Sequence, residues 1–216
     1  FEQYGHTPGV FPGAAMTFNG YGPEGISGPT VVESITVDCD IEGGEIIKSK
    51  VAFGGNGAYT EHSTPVTDAT TPDPPSSIGC KMQTDADDDG TYVDQTDVRS
   101  WSLEVTCDLK AYNSSDTAGQ TKRVAGNIDA SGSWSVYCDD IADLPDEGDV
   151  IPIRLFVNAT QFWDIQYVHI DSVKPDTDVE SGNLIGAEIS WSFAGYHSGT
   201  EGNITAPGAG SAAWPV

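Results

Sequence analysis

A twelve-residue pattern that occurs twice constrains the fold of this chain more than any other feature. It covers residues 40–51 and residues 178–189, with four identical positions at a constant offset and three that exchange one aliphatic residue for another. Each copy follows an alternating apolar segment and leads into an aromatic-glycine step, Phe53-Gly54-Gly55 or Phe193-Ala194-Gly195. Such a repeat indicates one supersecondary unit used twice, because a single unit cannot bury its own apolar face. The alternative is two unrelated hairpins that converge on the same turn residues.

Alternation of apolar and polar residues predicts strands over most of the remaining sequence. The clearest strand runs from Ser100 to Lys110, with one apolar face formed by Trp101, Leu103, Val105, Cys107 and Leu109. Residues 151–157 and 162–170 predict a hairpin, and Gly43-Gly44 predicts a two-residue hairpin loop. Residues 139–144 predict one short flanking helix, since Asp139-Asp140 offers N-cap chemistry and Pro145 ends the segment. The chain has 25 Gly, 13 Pro and no long helical pattern, so the sequence predicts an all-β fold.

The Gly and Pro content divides the chain into a predicted domain and two arms. Residues 1–30 predict an extended N-terminal arm, whose large apolar residues would dock on a neighbour. Residues 31–199 predict a single β domain that contains both copies of the repeat and a long Pro/Thr/Ser loop at 60–79. Residues 200–216 predict a C-terminal arm.

The net charge of −24, from 33 acidic and nine basic residues, argues against partners that bind through negatively charged groups. Duplex DNA held through its phosphates needs Lys and Arg to displace counterions, so specific DNA binding is not expected. The same field would repel DNA, and that repulsion could itself serve a function. A saline habitat would produce the same acidic excess without a functional meaning. No apolar run is long enough for a membrane helix, so no membrane partner is predicted.

The titratable and nucleophilic residues give no catalytic pattern, and no enzyme activity is predicted. The four cysteines lack zinc-site spacing and are either buried thiols or two disulfides with three open connectivities. The histidines are far apart; Glu61-His62 and His169-x-Asp171 are formally possible acid/base pairs, and satisfied or exposed side chains are the favoured interpretation. The sequence has no nucleophile elbow, P-loop or dinucleotide fingerprint.

One acidic loop matches half of a calcium-binding motif. Asp85-x-Asp87-x-Asp89-Gly90 places three carboxylates before a turning glycine, as the first half of a calcium loop does. The second half departs from the motif, because Thr96 stands where a bidentate Glu is needed, although Asp94 lies nearby. Calcium held by Asp85, Asp87, Asp89 and Asp94 is therefore the one candidate cofactor, and a solvated acidic turn is the alternative.

The C-terminal half resembles a known family of virion proteins. The run Gly126-Asn127-Ile128-Asp129-Ala130-Ser131-Gly132-Ser133-Trp134-Ser135-Val136-Tyr137 is similar to the stretch that leads to the short helix in tail tube (major tail) proteins of long-tailed bacteriophages. A Leu-Pro step, the strand 153–157, an aromatic strand at 167–170, the turn 178–182 and the strand 189–195 follow in the same order. The resemblance covers residues 98–199.

The resemblance implies a β-sandwich or barrel-like core that forms rings, commonly hexameric, which stack into a hollow tail tube. The partners would be other copies of the chain, other tail proteins, and DNA that passes through the lumen without specific binding. The protein would be assembled in the host cytoplasm and reside in the virion, where it serves genome ejection. If both hairpins line the lumen, its acidic residues would include Asp40, Glu42, Asp178 and Glu180, with the intervening Ile41 and Val179 turned to the core.

Two other classes of function stay open on the sequence. One is a different virion β protein, such as a capsid decoration or tail fibre module, which would share the composition and acidity. The other is an exported calcium-binding adhesion or lectin-like domain, which the acidic loop and three glycosylation patterns favour.

Overall fold

A computed structural model of the chain describes residues 2–4, 11–20, 25–45, 47–62, 77, 80–113, 115, 119–138, 144–176 and 185–207. The described residues form seventeen strands and no α-helix. The strands are β1 Glu2–Tyr4, β2 Ala15–Gly20, β3 Gly25–Asp40, β4 Lys48–Gly55, β5 Thr60–His62, β6 Met82–Thr84, β7 Val93–Asp94, β8 Val98–Cys107, β9 Lys110–Tyr112, β10 Lys122–Val124, β11 Ile128–Cys138, β12 Val150–Phe156, β13 Phe162–Asp176, β14 Ile185–Phe193, β15 Tyr196–His197, β16 Thr200–Glu201 and β17 Ile204–Thr205. The all-β prediction is confirmed, whereas residues 139–143 of the predicted helix lie outside the described residues.

Thirteen of these strands form one antiparallel sheet in the order β1-β4-β3-β8-β11-β14-β13-β12-β6-β7, with β2 and β5 paired to β3 and β17 paired to β13. The pair β8–β11 lies at the centre of this order. Hairpin β3–β4, which holds the first copy of the repeat, flanks it on one side, and hairpin β13–β14, which holds the second, flanks it on the other. The equivalent residues Val51 and Ile189 are both buried in the core. The copies are thus two hairpins whose strands lie in the same order across the sheet, β4-β3 and β14-β13.

A single hydrophobic core lies on one face of the sheet and joins its two ends. The apolar residues of the alternating strands are buried as predicted, for example Val37 on β3 and Leu103 on β8. Phe11, ahead of β2, stacks on Trp163 of β13 with ring centroids 6.1 Å apart. The core contains residues from strands near both ends of the sheet, for example β4 and β12. The sheet therefore curls around a common core. Burial of this apolar surface is the main favourable contribution to folding.

The region that the sequence assigned to an N-terminal arm contains strands. β2 pairs with β3 from Ala15↔Val31 to Gly20↔Ile26, so β3 begins well before the predicted boundary at residue 31. Phe18 packs against Phe53 with ring centroids 4.8 Å apart, which anchors the segment on its own chain. Hydrogen bonding to the next strand therefore fixes this Gly/Pro-rich segment as the first strand of a hairpin. At the C-terminal end, β17 likewise pairs with β13, and residues 208–216 lie outside the described residues.

The turns differ from the sequence prediction in one place and agree with it in another. The Gly43-Gly44 turn belongs to a longer connection, since β3 ends at Asp40 and β4 begins at Lys48. The Asp40 carboxylate accepts a hydrogen bond from the Gly43 amide (2.8 Å), and this local capping holds the wider loop. The turn between β12 and β13 is as predicted, because the Asn158 side chain accepts hydrogen bonds from the amides of Thr160 and Gln161. Most of the predicted loop 60–79 and residues 177–184 lie outside the described residues.

The described cysteine side chains are free thiols. Cys39, Cys80 and Cys107 are all buried, as expected for small apolar residues of strands. Ser77 hydrogen-bonds the Asp40 carbonyl (2.6 Å) through its hydroxyl and the Glu45 carbonyl (3.0 Å) through its amide, which brings Cys80 beside Cys39. Burial and a hydrogen bond between the two thiols raise the pKa of Cys39.

Candidate functional site: the serine face of the sheet

The face of the sheet opposite the core carries rows of small hydroxyl side chains. One row of directly opposed residues crosses six strands from β4 to β13: Lys48, Asp38, Ser102, Ser133, Ser190 and Ser172. A neighbouring row contains Asp40, Ser100, Ser135, Glu188 and Lys174. A third contains Lys50, Thr36, Glu104, Ser131, Ser192 and His169. We call this surface the serine face.

The sequence carries a signal for this surface that the strand analysis missed. The triplet Ser-Trp-Ser occurs three times, at 100–102, 133–135 and 190–192. The structure places the three triplets on the adjacent strands β8, β11 and β14. Their tryptophans Trp101, Trp134 and Trp191 are all buried, so the serines point away from the core. The repeated triplet therefore marks three strands of one sheet.

Hydrogen bonds between strands order the serine hydroxyls. Ser100 and Ser135 are 2.7 Å apart, Ser102 and Ser133 are 3.1 Å apart, and Ser172 and Ser190 are 2.7 Å apart, all between Oγ atoms. Because each pair shares one hydrogen bond, the second hydroxyl keeps capacity to bond water. The centre of the face is therefore polar, with small hydroxyls beside the carboxylates of Glu104 and Glu188.

The basic residues on the serine face are few, and carboxylates lie near two of them. Lys48 Nζ lies 3.1 Å from Glu45, and Lys174 is opposed to Glu188 in the strand register. Carboxylates then remain in excess, because the rows also contain Asp38, Asp40 and Glu104, and Asp129 lies on the same face of β11. The face as a whole is acidic, although Lys50 and Lys174 form no ion pair among the described residues.

Glu42 lies at one end of the face in a cluster of three side chains. Its carboxylate accepts hydrogen bonds from Arg99 Nε (2.6 Å) and from the Tyr137 hydroxyl (2.9 Å), and the guanidinium lies over the Tyr137 ring at 4.5 Å. The hydrogen bond with Arg99 lowers the pKa of Glu42 and raises that of Arg99, while the hydrogen bond to Glu42 raises the pKa of Tyr137. The cluster closes one end of a depression of about 410 Å³ that Ser100, Ser133 and Ser135 also line.

The predicted lumen residues divide into those the structure describes and those it does not. Asp40 and Glu42 are exposed, whereas Ile41 between them packs against the core, as strand alternation predicted. Glu42 is already paired with Arg99 within the subunit, so it contributes less free charge than the sequence indicated. Asp178 and Glu180 lie outside the described residues, and whether any of the four faces a lumen stays a prediction.

The acidic loop uses its carboxylates for backbone hydrogen bonds. Asp85 is buried, and its two oxygens accept hydrogen bonds from the amides of Asp89 (3.2 Å) and Gly90 (2.8 Å). The Asp94 carboxylate lies 2.8 Å from Lys81, and this hydrogen bond lowers the pKa of Asp94. Across the described ranges, no group of three or more acidic, His or Cys side chains converges as a metal site would. Calcium binding by Asp85, Asp87, Asp89 and Asp94 stays a prediction.

The predicted acid/base pair His169-x-Asp171 does form a contact, in a geometry without a nucleophile. His169 Nδ1 lies 2.9 Å from Asp171 Oδ1, and the Ser192 hydroxyl donates to the same oxygen at 3.0 Å. The hydroxyl therefore binds the carboxylate, whereas an activated serine would bind the imidazole that takes its proton. The His62 side chain of the Glu61-His62 pair lies outside the described residues. The part of the chain that the structure describes contains no helix long and apolar enough to span a membrane.

Comparisons with known proteins give structural similarities only. No protein-family model matches the chain, and no curated protein sequence matches it. One similar solved structure is the tail of an empty GTA particle computed with helical refinement and C6 symmetry, at 16% identity and a TM-score of 0.43, over 56% of this chain and 94% of that chain. Another is the six-fold symmetrised baseplate of the anti-feeding prophage, at 9% identity and a TM-score of 0.38, over 67% of this chain and 98% of that chain.

Proposed function

We propose that this chain is a virion structural protein of a phage tail, whose copies form rings that stack into a hollow tube. In this proposal the serine face is turned to the lumen, and DNA passes along it during ejection without binding. The protein performs no catalysis and needs no cofactor. The resemblance of residues 98–199 to tail tube proteins, stated from the sequence, supports the proposal.

The observation that carries the proposal is the charge arrangement on the serine face. A polyanion is retained where basic groups can displace its counterions. On this face Lys48 and Arg99 are paired with carboxylates, Lys174 is opposed to Glu188 in register, and further carboxylates are left over. Small hydroxyls occupy much of the centre and acidic residues outnumber basic ones, so DNA would meet no cluster of basic side chains. Such a surface repels DNA weakly and uniformly, which suits passage along it.

Assembly is the first test. Purified protein at high concentration should form rings or tubes visible by negative-stain electron microscopy, and high salt should favour them because it screens subunits that each carry −24. A protein that stays strictly monomeric at high concentration and high salt would overturn the proposal. That result would favour the alternative of an exported adhesion domain.

The second test concerns the direction in which the serine face points. Tubes of the wild-type protein should not retain DNA in co-sedimentation. Reversal of the four candidate lumen carboxylates should leave rings possible and make the tubes retain DNA: Asp40→Lys, Glu42→Lys, Asp178→Lys and Glu180→Lys. A matched control makes the same change in net charge elsewhere: Glu61→Lys, Asp87→Lys, Asp88→Lys and Asp89→Lys. Equal retention by both variants would show that net charge, and not the position of these residues, controls DNA binding.

A further inference from the structure

Strands β9 and β10 form a small basic hairpin on an otherwise acidic chain. Residues 109–125 contain three of the nine basic residues, Lys110, Lys122 and Arg123, and a single acidic residue, Asp116. β9 and β10 pair only with each other and form a two-stranded sheet apart from the large one. An isolated hairpin of this size is marginally stable at best, so contacts with the body of the subunit must hold it.

One face of the hairpin supplies those contacts. The Arg123 amide donates to Asn56 Oδ1 (2.7 Å), and its guanidinium donates to the Gly55 carbonyl at the end of β4. The guanidinium occupies space that a side chain on β4 would need, since a Cβ at Gly54 would lie 2.7 Å from Arg123 Nε. This contact gives a physical reason for Gly54 after the first repeat, while a Cβ at Gly55 would meet the Tyr59 ring. It also fixes the hairpin in place before any partner binds.

The other face of the hairpin is exposed. The register places Lys122 opposite Tyr112 and Val124 opposite Lys110, so these four side chains share one face. Tyr112 is 45% exposed, Val124 is 54% exposed, and the Lys110 side chain is 71% exposed. Lys110 contacts Asp108, while Lys122 pairs with no carboxylate among the described residues. The face thus combines apolar area with positive charge, which is typical of a surface that binds an acidic partner.

We propose that this face of the hairpin docks on an acidic surface of a second copy of the chain. The rest of the chain is more acidic than the total of −24, because this segment carries a net positive charge. A second copy therefore supplies the complementary charge over most of its surface. The contact joins two different surfaces, so it is head-to-tail and generates a closed ring or an open filament. This inference rests on the proposed self-assembly and names one of its contacts.

Pre-organisation by Arg123 lowers the cost of this contact. The hairpin is already fixed on β4, so binding does not carry the entropic cost of ordering it. More of the apolar and ionic interaction energy then contributes to affinity. The hairpin face is smaller than the roughly 800 Å² per partner of a standard interface, so it acts together with other contacts of the ring.

The test compares three double variants of the full chain for the protein concentration at which assemblies form. Lys110→Glu with Lys122→Glu should raise that concentration about tenfold or more, the equivalent of about 1.4 kcal/mol. Lys50→Glu with Lys174→Glu makes the same change in net charge elsewhere and should have a much smaller effect. Tyr112→Ser with Val124→Thr leaves the charge unchanged and should also weaken assembly. The effect of the first variant should shrink as salt rises, since its interaction is screened.

Zero-length carbodiimide cross-linking identifies the partner directly. In a mixture of unlabelled and ¹⁵N-labelled protein, Lys110 or Lys122 should form amide bonds with Asp or Glu of the other copy, detected by mass spectrometry. Hairpin variants that assemble like the wild type, or cross-links from these lysines only within one copy, would overturn the proposal. Wild-type protein that forms hairpin cross-links between copies but no rings would instead contradict the proposed tube function and leave the hairpin contact standing.

Discussion

Gly132 lies at the centre of the sheet, and its replacement by alanine should destabilise the fold strongly. A Cβ at this position would lie 2.2 Å from the Ser102 carbonyl oxygen and 2.7 Å from Cζ2 of Trp191. Real Cβ atoms do not approach other atoms closer than 3.0 Å, so something must shift. The obstacle nearest the new atom is backbone of the adjacent strand β8, which cannot rotate away as a side chain can.

The size of the expected loss in stability follows from these two clashes. Relieving the contact with the Ser102 carbonyl requires a shift of roughly 0.8 Å between β8 and β11, and overpacking of this kind costs about 1–3 kcal/mol. The same shift weakens ladder hydrogen bonds that contribute about 1 kcal/mol each. We therefore expect Gly132→Ala to lower the free energy of unfolding by about 3 kcal/mol. In a chain of this size that corresponds to a fall in melting temperature of roughly 6–12 °C.

Denaturant unfolding at low protein concentration, followed by tryptophan fluorescence, measures this loss. Ser131→Ala is the matched control, since Ser131 is the neighbouring residue, is exposed on the serine face, and should change stability by less than about 0.5 kcal/mol. Because the carbonyl is the closer obstacle, Gly132→Ala should cost nearly as much in a Trp191→Leu background as in the wild type. A stability of Gly132→Ala equal to that of the control would refute the reasoning.

Three further predictions concern the acidic loop, the thiols and the cluster at Glu42. Asp85→Ala should lower stability by about 1–3 kcal/mol, because the amides of Asp89 and Gly90 lose their acceptor, and the loss should be the same with calcium and with EDTA; a melting temperature that rises with calcium would instead support a metal site. Cys39 and Cys80 should not react with a thiol reagent until the protein unfolds, and rapid labelling of the native protein would contradict their burial. The pKa of Glu42 is lowered in the fold, so its stabilising effect is present above its ordinary value of 4.5 and is lost as pH falls through the lowered value. Glu42→Gln should therefore be less stable than the wild type at neutral pH and equally stable in strong acid; a difference that persists in acid would point to another cause.

The strands could be predicted from the sequence wherever burial alternates along one segment. Val37 and Leu103 lie in segments whose side chains alternate between the core and the open face, and this period of two is visible without any partner. β2 could not be predicted in the same way, because Met16 and Phe18 alternate with polar residues over only a few positions of a Gly/Pro-rich segment. Its register depends on hydrogen bonds to β3, so a pattern this short identifies a strand only together with its partner.

The candidate site was predictable only in part, for a related reason. Exposure of Asp40 and Glu42, with Ile41 turned inward, agrees with the alternation read from the sequence, although Ile41 and Glu42 lie in the turn after β3. The pairing of Glu42 with Arg99 does not, since the two residues are 57 positions apart and meet only through the register of β3 and β8. The serine face had a sequence signal in its three Ser-Trp-Ser triplets, but only the strand order shows that the triplets are adjacent.

The scarcity of basic residues links the serine face to the basic hairpin. With nine basic residues against 33 acidic ones, most of the surface of one copy repels another copy at short range, within a Debye length of about 8 Å at physiological salt. On the serine face the bases are offset by carboxylates of the same subunit, so that face neither attracts DNA nor attracts a second copy. The hairpin is different, since residues 109–125 carry a net positive charge and Lys122 lies beside the exposed Tyr112 and Val124. Approach of two copies is therefore least opposed where the hairpin of one meets the acidic body of the other. This distribution of charge lets one chain repel a polyanion on one surface and still associate with itself through another.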